Sequence, residues 1–418
     1  MPQTAGFYGI LDTLRQPNFR IYVAGNSLSM IGTWIQRLAV GWLTWELTKS
    51  GAWLGIVAFA DLFPAIVIGP FGGALADRIS RFRIIRVTQT LAMLQAAVLF
   101  LLVAFDLITI ELVVALTLFH GIIIGFHQPS RLAFVRSLVP IEHISTAVAV
   151  NSIVFHSARF IGPAIAGLAI NHWGIASAFA LNTISFISFL VALTRLKLPE
   201  TAPRDRQGAR PSILGEILEG IRYSAGHPGI AGLLILLLFI SVGVRPFEEL
   251  LPGFVDQVFG RGVDALAKFA STAGIGAMLG ALWMAHQGQS ADHPRVFLIC
   301  SGLVALSILG FIATDNFWVA LPFIAIAAGG LVICGISSQI MMHLSVPNEV
   351  RGRVLSLFGI IFRGGSAFGA LVMGGLSESF GLRWPLGGGI AVTLVVWVWF
   401  WSRRELISGS LKRGQNQD

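Results

Sequence analysis

Apolar residues fall in blocks of roughly 20, separated by short polar stretches, at about 20–45, 52–75, 84–104, 110–127, 149–171, 174–194, 230–250, 265–286, 295–314, 317–341, 354–376 and 384–402. A helix needs about 20 apolar residues to cross the hydrocarbon of a bilayer, whereas a barrel strand needs about 10 with alternation. Only helices or closed barrels satisfy every backbone group in lipid, so the block length predicts helices, twelve of them. Composition agrees: 55% of the 418 residues are hydrophobic and only 12% are charged, against about 25% charged in a soluble domain. That excludes a water-soluble fold, and the 47 glycines and 11 tryptophans suit close helix contacts and membrane interfaces. The expected fold class is an all-α polytopic membrane protein.

One long polar break, from about Arg195 to Gly229, carries Pro199, Pro203, Pro211 and mixed charge, then a stretch with Ile213, Leu214, Ile217, Leu218 and Ile221 on one helical face. It predicts a linker followed by an interfacial helix. Val139-Pro140-Ile141-Glu142 recurs as Val346-Pro347-Asn348-Glu349, 207 residues later, each copy preceding a helix with a buried arginine. The chain is therefore expected to comprise an N-terminal six-helix bundle (1–195), a cytoplasmic linker with an amphipathic helix (196–229), and a C-terminal six-helix bundle with a cytoplasmic tail (230–418). Asp12 and Arg15 ahead of the first block, with no small-residue cleavage site, predict a retained first helix rather than a signal peptide.

A net charge of +8 would suggest nucleic acid in a soluble protein. Here 21 basic residues, Arg131 and Arg136 among them, fall in the tails and loops of one side, against Lys49, Arg261, Lys268 and Arg383 on the other. This sorting predicts cytoplasmic termini in a cell (inner or plasma) membrane and no nucleic-acid partner. Cys300 and Cys334 give no disulfide signal, and the nine histidines show no metal spacing. No phosphate-binding Gly-x-x-x-x-Gly-Lys-Ser/Thr occurs, and no nucleophile–base pair lies at membrane depth, so neither ATP use nor enzyme catalysis is expected.

Four arginines remain within or at the edge of apolar blocks, Arg37, Arg159, Arg245 and Arg363. A charge at membrane depth costs at least about 2.5–3.5 kcal/mol unless it faces water or a partner. Arg37 and Asp61 are equidistant in sequence from Lys49, which places them at similar depth on consecutive helices, as a structural salt bridge or a proton-responsive pair. Arg159 and Arg363 occupy corresponding places in the two halves; facing a central cavity, they would favour an anionic or polyhydroxylated aromatic substrate. Arg245-Pro246-Phe247-Glu248-Glu249 is placed at the outer end of the seventh block, where Arg245 can reach Glu248 or Glu249, as an outer gate, a proton carboxylate or a solvated helix end. In Gly73-Ala74-Leu75-Ala76-Asp77-Arg78-Ile79-Ser80-Arg81-Phe82-Arg83, Gly73 permits close backbone approach and Asp77 can accept from arginine or cap a helix. On the fifth block Gly162, Pro163 and Gly167 form a bendable, close-packed seam, and Gly121-x-x-x-Gly125, Gly276-x-x-x-Gly280 and Gly365-x-x-x-Gly369 mark helix contacts.

The Gly73–Arg83 segment resembles the loop signature between the second and third helices of the major facilitator superfamily. Trp34-Ile35-Gln36-Arg37, Gly41-Trp42-Leu43, Glu46-Leu47-Thr48-Lys49-Ser50, Pro64 and Val346-Pro347-Asn348-Glu349-Val350-Arg351-Gly352-Arg353-Val354-Leu355-Ser356 are similar to the bacterial branch of enterobactin-type siderophore exporters and related drug exporters. Arg159–Gly167 is similar to the Gly-Pro motif of exporters, with Ala158 and Ala166 where glycine is frequent. Ser80 replaces a usual glycine, and the corresponding loop of the second half, Gln287–Arg295, lacks the pattern. The resemblance implies two bundles related by a pseudo-two-fold axis and a proton-driven exporter of a small siderophore- or drug-like molecule. It implies alternating access with no cofactor beyond the proton gradient, in a monomer surrounded by lipid bilayer. Asp77, Arg78, Arg81 and Arg83 with Glu349, Arg351, Gly352 and Arg353 are implied to close the cytoplasmic side. Two other readings use the same fold: a lysophospholipid or lipid flippase, and a non-transporting sensor or partner.

Overall fold

The computed structural model describes residues 7–196, 213–287 and 292–405, and all regular structure among them is helical. Residues 197–212 of the expected linker and 406–418 of the expected tail lie outside the described residues. Two compact units are formed.

The first unit comprises Met1–Leu47, Phe63–Gly208 and Val263–Ser271. It holds α1 (Phe7–Leu14), α2 (Pro17–Thr48), the later part of α3 (Gly51–Arg78), α4 (Arg81–Ala104), α5 (Ile110–Val135), α6 (Ile144–Trp173) and α7 (Ala176–Thr194). Thr109 starts α5 by accepting the Leu112 N–H on its hydroxyl, satisfying a donor that the first turn leaves orphaned. Gly174 ends α6 at φ 79°, a left-handed conformation that glycine adopts without a Cβ clash. At one end of this unit Phe19, Tyr22, Ile85, Phe134 and Phe189 interlock, with Tyr22 edge-on to Phe134 and Phe189 at 5.8 and 5.6 Å.

The second unit comprises Thr48–Leu62, Ala209–Gly262 and Thr272–Asp418. It holds the first part of α3, then α8 (Ile213–Gly226), α9 (Pro228–Gly243), α10 (Phe247–Gly253) and most of α11 (Val263–Gln287). The remainder is α12 (His293–Ala313), α13 (Phe317–Ser345), α14 (Asn348–Gly359), α15 (Gly365–Phe380) and α16 (Arg383–Ser402). A π-turn, Phe254–Val258, follows α10, and a second, Ile360–Gly364, joins α14 to α15. α8 sits beside α14: Gly220 is buried, and a Cβ built there would stand 3.0 Å from the Arg353 carbonyl oxygen. Glu219 pairs with Arg353, while Leu218 and Ile221 of the same helix remain exposed.

Among the described residues, eleven helical passages are long and apolar enough to span a membrane, one fewer than the twelve expected. The exception is α2: it is 32 residues long, but it buries Asn26, Ser29 and Gln36 inside its bundle, which dilutes its apolar run. Three expectations are corrected. The fourth block does not stop at residue 127, because α5 carries Pro129 internally and runs to Val135; a membrane helix tolerates proline where neighbours compensate. Consequently Arg131 is not a loop residue but a helical one, 4% exposed. Arg245 is not at the outer end of the seventh passage: after a turn at Val244–Pro246 the helix resumes, and the passage extends from Pro228 to Val258. The rigid φ of Pro246 stands just before α10 and starts that helix instead of ending the passage.

Candidate functional site

In the first unit the functional side chains are set by the face of α2. Gln36 Nε2 donates to Gln95 Oε1 of α4 at 3.0 Å, and Asn182 Nδ2 of α7 donates to Gln36 Oε1 at 2.8 Å. Gln95 Nε2 in turn donates to the Leu116 carbonyl of α5. All three amides are buried, so this chain of bonds ties four helices and fixes how α2 is rotated. With side chains stepping about 100° per residue, Trp34 and Arg37 lie one turn apart on a common side, away from Gln36.

There, the Arg37 guanidinium lies 5.6 Å from the Trp34 ring centre, and Arg159 of α6 approaches the same ring at 5.5 Å. Phe155 meets Trp34 edge-on at 5.9 Å, and His156 adjoins Phe155 at 5.4 Å. All five side chains are half-buried. One indole thus serves two guanidiniums, each contact being worth about 0.5–2 kcal/mol according to its desolvation. Gly162, one turn from Arg159, lets α6 approach this point: a Cβ there would stand 2.5 Å from Trp34 Cβ. Gly167 lies against Ala267 at the start of α11, so both glycines sit close to a neighbouring helix. Asp61 lies on the part of α3 that belongs to the second unit, whereas Arg37 belongs to the first.

A second polar cluster in this unit was not singled out by sequence. His127 and Thr88 share a hydrogen bond at 2.9 Å, Gln89 donates to Ser29 Oγ at 2.7 Å, and Arg131 Nη1 contacts Met30 Sδ at 3.3 Å. The available signal was the i, i+4 spacing of His127 and Arg131, provided that the helix is continued through Pro129.

The loop motif needs one correction. A Cβ at Gly73 would meet open space, while Gly72 is the residue of close approach, lying against the Gly125 carbonyl and Phe126 Cα of α5. One residue is a 100° rotation, and the motif's glycine faces away from α5. Arg81 donates to the Ala133 carbonyl at 3.4 Å, and Arg78, Arg81 and Arg83 are exposed. The Asp77 side chain lies outside the described residues.

In the second unit Arg245 lies over the Phe362 ring, 4.0 Å from its centre, and donates to the Phe362 carbonyl. Phe362 is in the π-turn Ile360–Gly364, where the wider winding interrupts the regular bond ladder and leaves carbonyls to be satisfied by outside donors. Arg363 is the next residue. It is the sixteenth of the passage beginning at Asn348, as Arg159 is the sixteenth of α6. Glu248 and Glu249 stand in the first turn of α10, the end at which the helix dipole favours carboxylates. Arg351 bonds the Val346 carbonyl and Asn348 Oδ1 at the start of α14. Glu349 lies in the same first turn, and Gly352 has open space around it.

A further constellation, also missed by sequence, surrounds the start of α3. Ser50 Oγ and the Ala52 N–H both donate to Glu378 Oε1 of α15, at 2.7 and 3.1 Å, and Lys49 pairs with Asp256 at 2.9 Å. Beneath them Gly55 packs against the Ala370 carbonyl and Gly374 against the Gly51 carbonyl.

Residues 9–408 match the family model described as transmembrane secretion effector. The Staphyloferrin A transporter of Staphylococcus aureus (strain NCTC 8325 / PS 47) is 24% identical over 392 residues, covering 93% of this chain and 96% of its own. Macrolide efflux protein A of Streptococcus pyogenes is 22% identical, covering 89% and 92%. The enterobactin exporter EntS of Escherichia coli O81 (strain ED1a) is 26% identical, covering 80% and 77%. Among solved structures, a bacterial homolog of the human lysosomal transporter Spinster, inward-facing and unoccupied, superposes with a TM-score of 0.71 at 15% identity, over 96% of this chain and 98% of that one.

Proposed function

The chain belongs to the transmembrane secretion effector family of the major facilitator superfamily, and from that premise we propose that it exports small amphiphilic or anionic molecules, siderophore- or drug-like, across the cell membrane. It is a multi-pass membrane transporter that binds its substrate rather than transforming it. Proton entry drives export by alternating access, without a cofactor, in a monomer with both termini in the cytoplasm. The carrying observation is Trp34 with two guanidiniums close to its ring, Arg37 and Arg159. Two fixed positive charges beside an indole recognise a group that is both negative and flat, such as a carboxylate or catecholate on an aromatic or amphiphilic body. The relatives named as a Staphyloferrin A transporter, a macrolide efflux protein and an enterobactin exporter support the substrate class. Arg363 and Arg245, with Glu248 and Glu249, supply the second unit's share of the path. Asp61 and these carboxylates are the candidates for protonation.

The test is transport into proteoliposomes under an imposed pH gradient, offered catecholate and carboxylate siderophores, a macrolide and a lysophospholipid. Gradient-dependent flux of the anionic compounds, lost in Arg159→Ala, is expected. Flux of the lysophospholipid alone would assign a flippase, and no flux of any compound would overturn the exporter reading.

A further inference from the structure

A cavity of about 500 Å³ opens in the second unit where α9 and α12 begin and α13 and α16 end. Its volume falls in the range of small-molecule sites, about 300–1,000 Å³. Its wall is of two kinds. Leu233, Phe297, Met341 and Phe400 supply a buried apolar floor. Asp292, Arg295, Arg404 and Glu405 are exposed and supply a charged rim.

The position is an interfacial one. All four helices that form the cavity belong to passages long and apolar enough to cross the membrane, and the cavity lies at their terminal turns. The last turns of α16 carry Trp397, Trp399 and Trp401, as expected where a helix leaves hydrocarbon for headgroups. The wall is also held in place. Trp397 donates its indole N–H to the Leu298 carbonyl at 2.7 Å, joining α16 to α12. Trp401 packs on Trp397 at 5.1 Å and carries the Arg404 guanidinium at 5.4 Å.

The rim charges decide the ligand. Two guanidiniums suit a phosphate, since the planar fork matches its oxygens. An anionic head would answer those alone and would crowd two carboxylates against like charge. A zwitterionic head answers both signs. Of zwitterionic heads, a primary ammonium can donate hydrogen bonds to a carboxylate and a trimethylammonium has no N–H to give. We propose that this cavity binds an ethanolamine phospholipid of the adjoining leaflet. The phosphate lies between Arg295 and Arg404, the ammonium at Asp292 and Glu405, and an acyl chain along the floor. None of the residues lining this cavity is among those assigned to the substrate path.

The experiment is native mass spectrometry of the full-length purified protein titrated with dioleoyl phosphatidylethanolamine, phosphatidylcholine and phosphatidylglycerol. The wild type is expected to bind the ethanolamine lipid most tightly. Arg295→Gln/Arg404→Gln is expected to weaken it by about tenfold or more, the loss of charge-assisted bonds to one phosphate. Asp292→Asn/Glu405→Gln is expected to invert the preference toward phosphatidylglycerol. All four side chains are exposed, so neither variant threatens folding. Equal binding of the three lipids, or a wild-type preference for phosphatidylglycerol, would overturn the proposal. So would binding that appears only after removal of residues 406–418, which would give the cavity to the chain's own tail.

Discussion

Replacing Gln36 by Leu keeps the volume of the side chain and removes both of its hydrogen bonds, to Gln95 and from Asn182. Interhelical hydrogen bonds in membrane proteins average about 0.6 kcal/mol with a maximum near 1.7, so the two account for roughly 1–3 kcal/mol. The change also leaves Asn182 Nδ2 and Gln95 Oε1 buried without these partners, and an orphaned buried group costs about 1–3 kcal/mol. Asn182 Oδ1 keeps its bond from Ser185, and Gln95 Nε2 keeps Leu116, so neither amide is wholly stranded. The expected loss is about 2–4 kcal/mol. It is measured as the unfolding free energy in mixed micelles, by titration with sodium dodecyl sulfate followed through tryptophan fluorescence. Gln95→Leu alone should also destabilise, and the double variant should cost less than the sum by about 1–2 kcal/mol, since removing both ends of a bond orphans neither. A Gln36→Leu variant within about 0.5 kcal/mol of wild type, or strictly additive singles, would refute the view that the amide chain holds α2 in register.

Trp34→Leu should cut transport of anionic compounds about tenfold by removing two cation–π contacts, with Trp34→Phe intermediate; unchanged kinetics would take the cluster off the substrate path. Glu378→Leu should lower thermal stability through loss of the bonds from Ser50 and Ala52, by about 1–3 kcal/mol. Lys49→Met, which breaks an exposed pair, should cost under about 1 kcal/mol; the reverse order would refute the assignment. Burial holds the His227 imidazole below its ordinary range, and its Nδ1 accepts the Ile230 N–H at the start of α9. The fold therefore takes up this proton less readily than the unfolded chain, so the site's stabilisation is present above about pH 6.5 and is lost as the pH falls below it. Thermal unfolding between pH 7.5 and 5 should show that decline, and His227→Asn, which caps without titrating there, should flatten it.

The membrane writes its demands on the chain in blocks of apolar residues, and for that reason the helices were legible. Their ends were less so. The apolar block ends near residue 127, but α5 continues through Pro129 to Val135, so the block's end alone places Arg131 in a loop rather than at its buried helical position. Gly73 belongs to a recognisable motif, while the contact that Gly72 makes with Gly125 depends on rotation about the helix axis, which a strongly apolar segment does not encode. Gln36, Gln95 and Asn182 were invisible as a set, because their partners lie 59 and 146 residues apart and a lone amide in an apolar run carries no mark of its mate. Arg159 was legible as a misplaced charge. Its placement beside Trp34 needed the register of α2 against α6.

At the seam of α3 and α15, Gly55 meets the Ala370 carbonyl and Gly374 meets the Gly51 carbonyl. Side chains cushion most helix pairs, because rotamers can change and let the spacing drift. A joint of bare main chain has no such slack; it is either seated or parted, and its affinity falls away within a fraction of an ångström. The joint therefore behaves as a detent rather than a spring. A single methyl at Gly55 acts as a wedge of known thickness, and graded substitutions there offer a ruler for how far the seam must open before the rest of the molecule responds.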